Sequence, residues 1–72
     1  MTKSYILLCL FETLSNGQEL KIHNCCKEYG ISVPTFRRYI AELRDFYCEK
    51  YCYEVVYDTH SQSYKLKNRT DA

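Results

Sequence analysis

A chain of 72 residues, 46% hydrophobic and 26% charged, has the length of one domain and the make-up of an ordinary globular protein, which excludes wholesale disorder. A domain this small buries only about 60% of the surface that its unfolded chain exposes. Its thin core excludes a sizeable active-site cavity, so no enzyme is expected. The formal net charge of +1 is lower than that of a clearly basic nucleic-acid-binding domain, so the distribution of charge matters more than its sum.

The first helix is expected over residues 4–14, where Ile6, Leu7, Leu10 and Leu14 fall on one stripe. The apolar stretch within it, residues 5–11, is far shorter than the roughly 20 residues that a membrane-spanning helix needs. A lone Lys3 precedes too short an apolar core for a signal peptide, and no small-residue cleavage site follows. Ser15-Asn16-Gly17 is a stop signal, with Gly17 free to take a left-handed conformation. Residues 19–22 alternate and suit a brief strand. A short second helix fits residues 23–29, with Cys25, Cys26 and Tyr29 on one side, and Gly30 ends it.

Ser32 is the clearest local signal, a good N-cap residue with Pro34 in the first turn after it. The third helix is expected over about 33–47, with Phe36, Ile40, Leu43 and Tyr47 as one buried stripe. Residues 53–58 read as a strand. Residues 59–63 form a polar turn, and residues 64–66 a second strand with Tyr64 and Leu66 on one face. The expected architecture is therefore mostly α with a small β-hairpin. It is a single domain over residues 1–67, with a frayed tail over 68–72. No repeat, low-complexity stretch or linker interrupts it.

Two helices joined by a tight turn containing Gly30, followed by a hairpin, match a winged helix-turn-helix: three helices plus a wing. In that arrangement the second helix of the pair enters the major groove of duplex DNA. With Phe36, Ile40 and Leu43 inward, Pro34, Arg38, Ala41 and Asp45 point away from the core, at about 100° per residue. Arg38 suits a bidentate contact to guanine, and Thr35 a thymine methyl or a phosphate. Arg37 and Arg44 suit phosphates, small Ala41 permits close approach, and the helix start at Ser32 favours an anion. At the hairpin tip His60 and Gln62 can donate to phosphates or reach the minor groove, and Lys65 follows on the outward face of the second strand. Asp45 on this side, with Glu42 beside it, must lie beyond the groove or face a basic partner.

Residues 20–66 resemble the N-terminal winged helix domain of DeoR-type transcription regulators, including those with a ligand-sensing WYL domain downstream. The matching pieces are Leu20-Lys21-Ile22, Glu28-Tyr29-Gly30-Ile31-Ser32 and Thr35-Phe36-Arg37-Arg38-Tyr39-Ile40 with Glu42-Leu43. Tyr53-Glu54-Val55-Val56-Tyr57-Asp58 and Tyr64-Lys65-Leu66 match the wing. The resemblance implies sequence-specific binding of double-stranded DNA by a transcription regulator, with the hairpin 53–66 as wing. It also implies a sensor domain downstream in a longer chain. The sequence departs from the family pattern at Tyr39, where an acid is usual, and at Cys25 and Cys26, where Leu and Ala are usual. Its wing tip lacks basic residues and has Ser63 where the family has glycine.

Five cysteines, Cys9, Cys25, Cys26, Cys48 and Cys52, without an export signal read as reduced thiols in the cytoplasm. Cys25 and Cys26 are adjacent, Cys48 and Cys52 straddle a helix end, and no C-x-x-C pair exists, so neither metal nor cofactor is expected. The rival to DNA binding is a winged helix used for protein contact. Eight tyrosines, including Tyr47, Tyr51, Tyr53 and Tyr57, could form a homodimer or partner interface, where tyrosine is enriched. The same rings could instead pack the thin core and lead their hydroxyls to water.

Overall fold

The structure, a computed structural model, describes residues 2–68. The first helix, α1 (Lys3–Ser15), starts where the Thr2 hydroxyl accepts the Tyr5 N–H at 3.2 Å. Its stripe of Ile6, Leu10 and Leu14 is buried, and Leu7 is half-buried beside it. The chain turns through Gly17 at φ 79°, as the Ser-Asn-Gly signal predicts. Strand β1 (Leu20–Lys21) is only two residues long and leads directly into α2 (Ile22–Tyr29). This helix begins one residue earlier than expected, and no side chain caps it. The Ile22 N–H instead reaches the carbonyl of Gln62 at 3.1 Å, so a tertiary contact satisfies it. Gly30 at φ 63° closes α2 in the left-handed conformation.

Ser32 caps α3 (Val33–Tyr51), with its Oγ accepting the Thr35 N–H at 3.3 Å. Phe36, Ile40, Leu43 and Tyr47 form the buried stripe. The helix runs four residues past the expected end at 47. Its extra turn is held by Tyr51, whose ring contacts those of Phe46, Tyr47 and Tyr53. It ends at Cys52, which takes the left-handed cap position at φ 57° in place of a glycine.

Strands β2 (Tyr53–Asp58) and β3 (Ser63–Asn68) form an antiparallel hairpin, and β1 joins its other edge, giving the order β1-β3-β2. The register pairs Val55 with Leu66, Val56 with Lys65, and Leu20 with Tyr64. Two expectations shift here. Ser63 belongs to β3 rather than to the turn, because it pairs with both Asp58 and Lys21 and is fully buried. Asn68 pairs with Tyr53 and so extends β3 into the expected tail, whose remainder, 69–72, lies outside the described residues.

The core lies between α1, α3 and the inner face of the sheet, built from Leu10, Leu14, Phe36, Ile40, Tyr47, Val55 and Tyr64. Tyr47 is its central polar contact. Its hydroxyl donates to the Phe11 carbonyl at 2.9 Å and lies 2.8 Å from the Ser15 hydroxyl, tying α3 to the last turn of α1. At 1% exposure Tyr47 cannot belong to a surface patch of tyrosines. No helix among the described residues is long and apolar enough to cross a membrane.

Candidate nucleic-acid interface

Three residues, 30–32, separate α2 from α3, and Gly30 supplies the reversal that sets the two helices against each other. Ile31 stays half-buried against the core, with its N–H on the Cys26 carbonyl at 3.1 Å. This leaves the first turns of α3 facing outward. Pro34, Arg37, Arg38 and Ala41 are exposed there, and the structure brings them together with Ser32 and Thr35 on one end of the helix.

The cap constrains Thr35 in a way the sequence does not reveal. Its Oγ1 accepts the Ser32 hydroxyl proton at 3.0 Å, so its own hydroxyl proton is left to donate outward. Arg37 and Arg38 make no salt bridge among the described residues, where the ion pair formed is Lys3 with Glu42 at 3.0 Å. No acidic residue occurs between Val33 and Ala41. The first half of α3 therefore carries two unneutralised cations, added to the positive end of the helix dipole. The acids of the helix begin at its midpoint with Glu42, one turn from Arg38 and paired with Lys3, and continue with Asp45 and Glu49. Asp45 lies seven residues beyond Arg38, about 10 Å along the axis.

Arg44 is placed differently from the other arginines. It lies on the flank of α3 that faces the sheet, and its guanidinium donates to the Val55 carbonyl of β2 at 3.4 Å. It thus serves the helix-to-sheet packing and is not on the end where Arg37 and Arg38 gather.

The hairpin tip is a tight four-residue turn over 59–62. Asp58 opens it by accepting the His60 N–H at 2.9 Å, which holds the Asp58 carboxyl below the usual carboxylate range. Gln62 closes it at φ 51°, and its carbonyl receives the Ile22 N–H. The side chains of His60 and Gln62 are exposed. Lys65 is exposed on the outer face of the sheet opposite Val56, whereas Lys67 stands opposite Glu54. Sequence reasoning missed the organising role of Asp58. The signal was an aspartate at the start of a turn, two residues before an N–H it could accept.

Among the described residues no three His, Cys, Asp or Glu side chains gather as a metal site. Cys25 is buried, and burial first, then Glu28 and Cys26, pushes its thiol up to about 11. Such a thiol stays protonated and behaves as a small apolar side chain. Comparison of the chain with protein-family profiles, curated proteins and solved structures finds no match.

Proposed function

We propose that this chain is a winged helix-turn-helix domain that binds double-stranded DNA, with α3 in the major groove and the β2–β3 hairpin as wing. The observation that carries the proposal is the exposed, acid-free first half of α3 bearing Arg37 and Arg38 without ion-pair partners among the described residues. A recognition helix reads base edges with its N-terminal residues, where these side chains lie. The helix-turn-helix pair and the sheet order β1-β3-β2, with its hairpin following α3, support the winged fold.

On this proposal the residues divide by task. Arg38 and Thr35 read bases, and Arg37 and the start of α3 at Ser32 hold phosphates. Pro34 and Ala41 keep the surface flat enough for close approach. His60, Gln62 and Lys65 add weaker contacts from the wing. The resemblance to DeoR-type regulators supports a role at the head of a transcription regulator acting in the cytoplasm. It is a binding module without catalysis.

The test is fluorescence anisotropy on random duplex, followed by selection of a preferred site. Affinity for random duplex should fall as salt rises, with a log–log slope set by the phosphates neutralised. On the selected site Arg38→Ala should cost about 1–3 kcal/mol and relax preference at one base pair. Absence of duplex binding at low salt, or binding indifferent to changing both Arg37 and Arg38 to Ala, overturns the proposal.

A further inference from the structure

The outer flank of α1 and the adjoining flank of α3 carry large apolar side chains that nothing in the described chain covers. Leu8 is 67% exposed, Tyr5 56%, Tyr51 51% and Phe46 40%. They form one surface. Leu8 and Phe46 line a groove of about 280 Å³ together with Leu7, Phe11, Leu43 and, at its edge, Glu42. The Phe46 ring packs 5.7 Å from Phe11 and 5.9 Å from Tyr51. Tyr5 precedes Leu8 by one helical turn on the same side of α1.

Taking about 200 Å² for each of these side chains, the patch exposes roughly 400 Å² of apolar surface. The largest apolar patch of a single domain is about 300–600 Å², and a patch of that size often marks a contact surface. A standard interface buries about 800 Å² per partner, of which roughly three-fifths is apolar. The patch therefore supplies most of the apolar centre of one ordinary interface.

Two features select the occupant. Leu8, 67% exposed, is the protruding wall of the groove it borders, so ridge and groove lie side by side on one face. About a two-fold axis, each copy can seat its Leu8 in the groove of the other, as an isologous contact requires. The rim also carries both signs of charge, paired as Lys3 with Glu42 at 3.0 Å. A second copy brings the same internally paired charges to the contact and so sets no net charge against its like, whereas a strongly charged partner would find no field to complement. We propose that this α1–α3 face is the two-fold interface of a homodimer of this chain. It lies about 80° around α3 from Arg38 and leaves the arginines open, so it stands or falls independently of DNA binding.

Sedimentation equilibrium without DNA, from roughly 10 μM to 1 mM chain, tests the proposal over the range where an interface of this size acts. The two-chain mass is expected at the upper end. Leu8→Asp should weaken the dimer at least about thirtyfold, because each dimer loses two buried leucines. Its circular dichroism and melting should stay those of the parent, since Leu8 is exposed. Leu8→Ala should act in the same direction by about tenfold, and Tyr57→Ser on β2 should leave the dimer unchanged. A single-chain mass at every concentration overturns the proposal. So does a dimer that survives both Leu8 variants, or one that Tyr57→Ser dissolves.

Discussion

The Tyr47 hydroxyl offers a sharp test of what fixes α1 against α3. Tyr47→Phe keeps the ring, which stacks on Phe11 at 5.3 Å and touches Phe46, Tyr51 and Tyr53. It removes the bond to the Phe11 carbonyl and the contact with the Ser15 hydroxyl. A net hydrogen bond contributes about 0.5–1.5 kcal/mol, and leaving a part-buried acceptor unmet costs more. The Ser15 side chain is exposed and regains water, so its loss counts little. The expected destabilisation is thus about 1.5 kcal/mol, nearly all of it from the Phe11 carbonyl. For a domain of this size that lowers Tm by about 6–12 °C. Thermal and urea melts followed by circular dichroism measure it. Ser15→Ala in both backgrounds should show a coupling with Tyr47→Phe of no more than about 0.5 kcal/mol. A Tm within about 2 °C of the parent would refute the reasoning, because ring packing alone would then hold the two helices.

Further outcomes follow from the same geometry. Cys52→Gly should stabilise the domain by about 0.5–1 kcal/mol, since it relieves a left-handed residue at the end of α3 while loosening the unfolded chain. An unchanged or lower urea midpoint contradicts this. Stability should hold up to about pH 8.5 and fall above pH 9. Cys25 is raised from 9.0 to about 11 by burial, and Tyr29 from 10.0 to about 12 by burial and Glu28, so the folded state keeps protons that the unfolded chain releases. The Cys25 share is on the order of 2 kcal/mol across that window, and Cys25→Ala should flatten the decline in a urea-midpoint series. Arg44→Ala should lower stability by about 0.5–1 kcal/mol through its lost bond to Val55, with little effect on duplex binding. Arg38→Ala should do the reverse, and melting beside anisotropy separates the two.

Much of the fold was legible because its signals are local. Gly17, Gly30 and the Ser32 cap each mark an end by backbone chemistry, and the stripe from Phe36 to Tyr47 declares its buried side by spacing. What the sequence hid depends on partners distant in the chain. Ile22 can open α2 without a cap because Gln62 supplies an acceptor from forty residues away. The last turn of α3 persists because Tyr51 finds Tyr53 across the Cys52 bend. The interface residues divide the same way. Pro34, Arg37, Arg38 and Ala41 follow from helical periodicity alone, whereas the tie of Arg44 to β2 needs the packing of helix on sheet. Among the tyrosines Tyr47 is marked as buried by its place on that stripe, whereas Tyr51 carries no such signal. Tyr47 and Tyr51 are one turn apart, yet one is central to the core and the other half-exposed.

The faces of α3 bear on how strongly such a domain can hold DNA. One side is core, one flank carries Arg37 in the first turns and, further along, Arg44 tied to the sheet, the other flank adjoins the α1 groove through Phe46, and the outward side carries Arg38. On the proposed DNA-binding reading each chain would make two or three phosphate contacts, with a salt slope of about −2 to −3. Such a chain alone loses about thirtyfold in affinity between about 50 and 200 mM salt. Two copies joined through α1 and α3 double the contacts, steepen the slope to about −5 and lose about a thousandfold over the same range. On that reading the low net charge of +1 would be no obstacle, because such a dimer would gather arginines from two helices. Leu8→Asp, which touches neither arginine, should therefore halve the slope measured for the parent on a two-site duplex. A slope that this variant leaves unchanged would show that duplex binding does not draw on the dimer face.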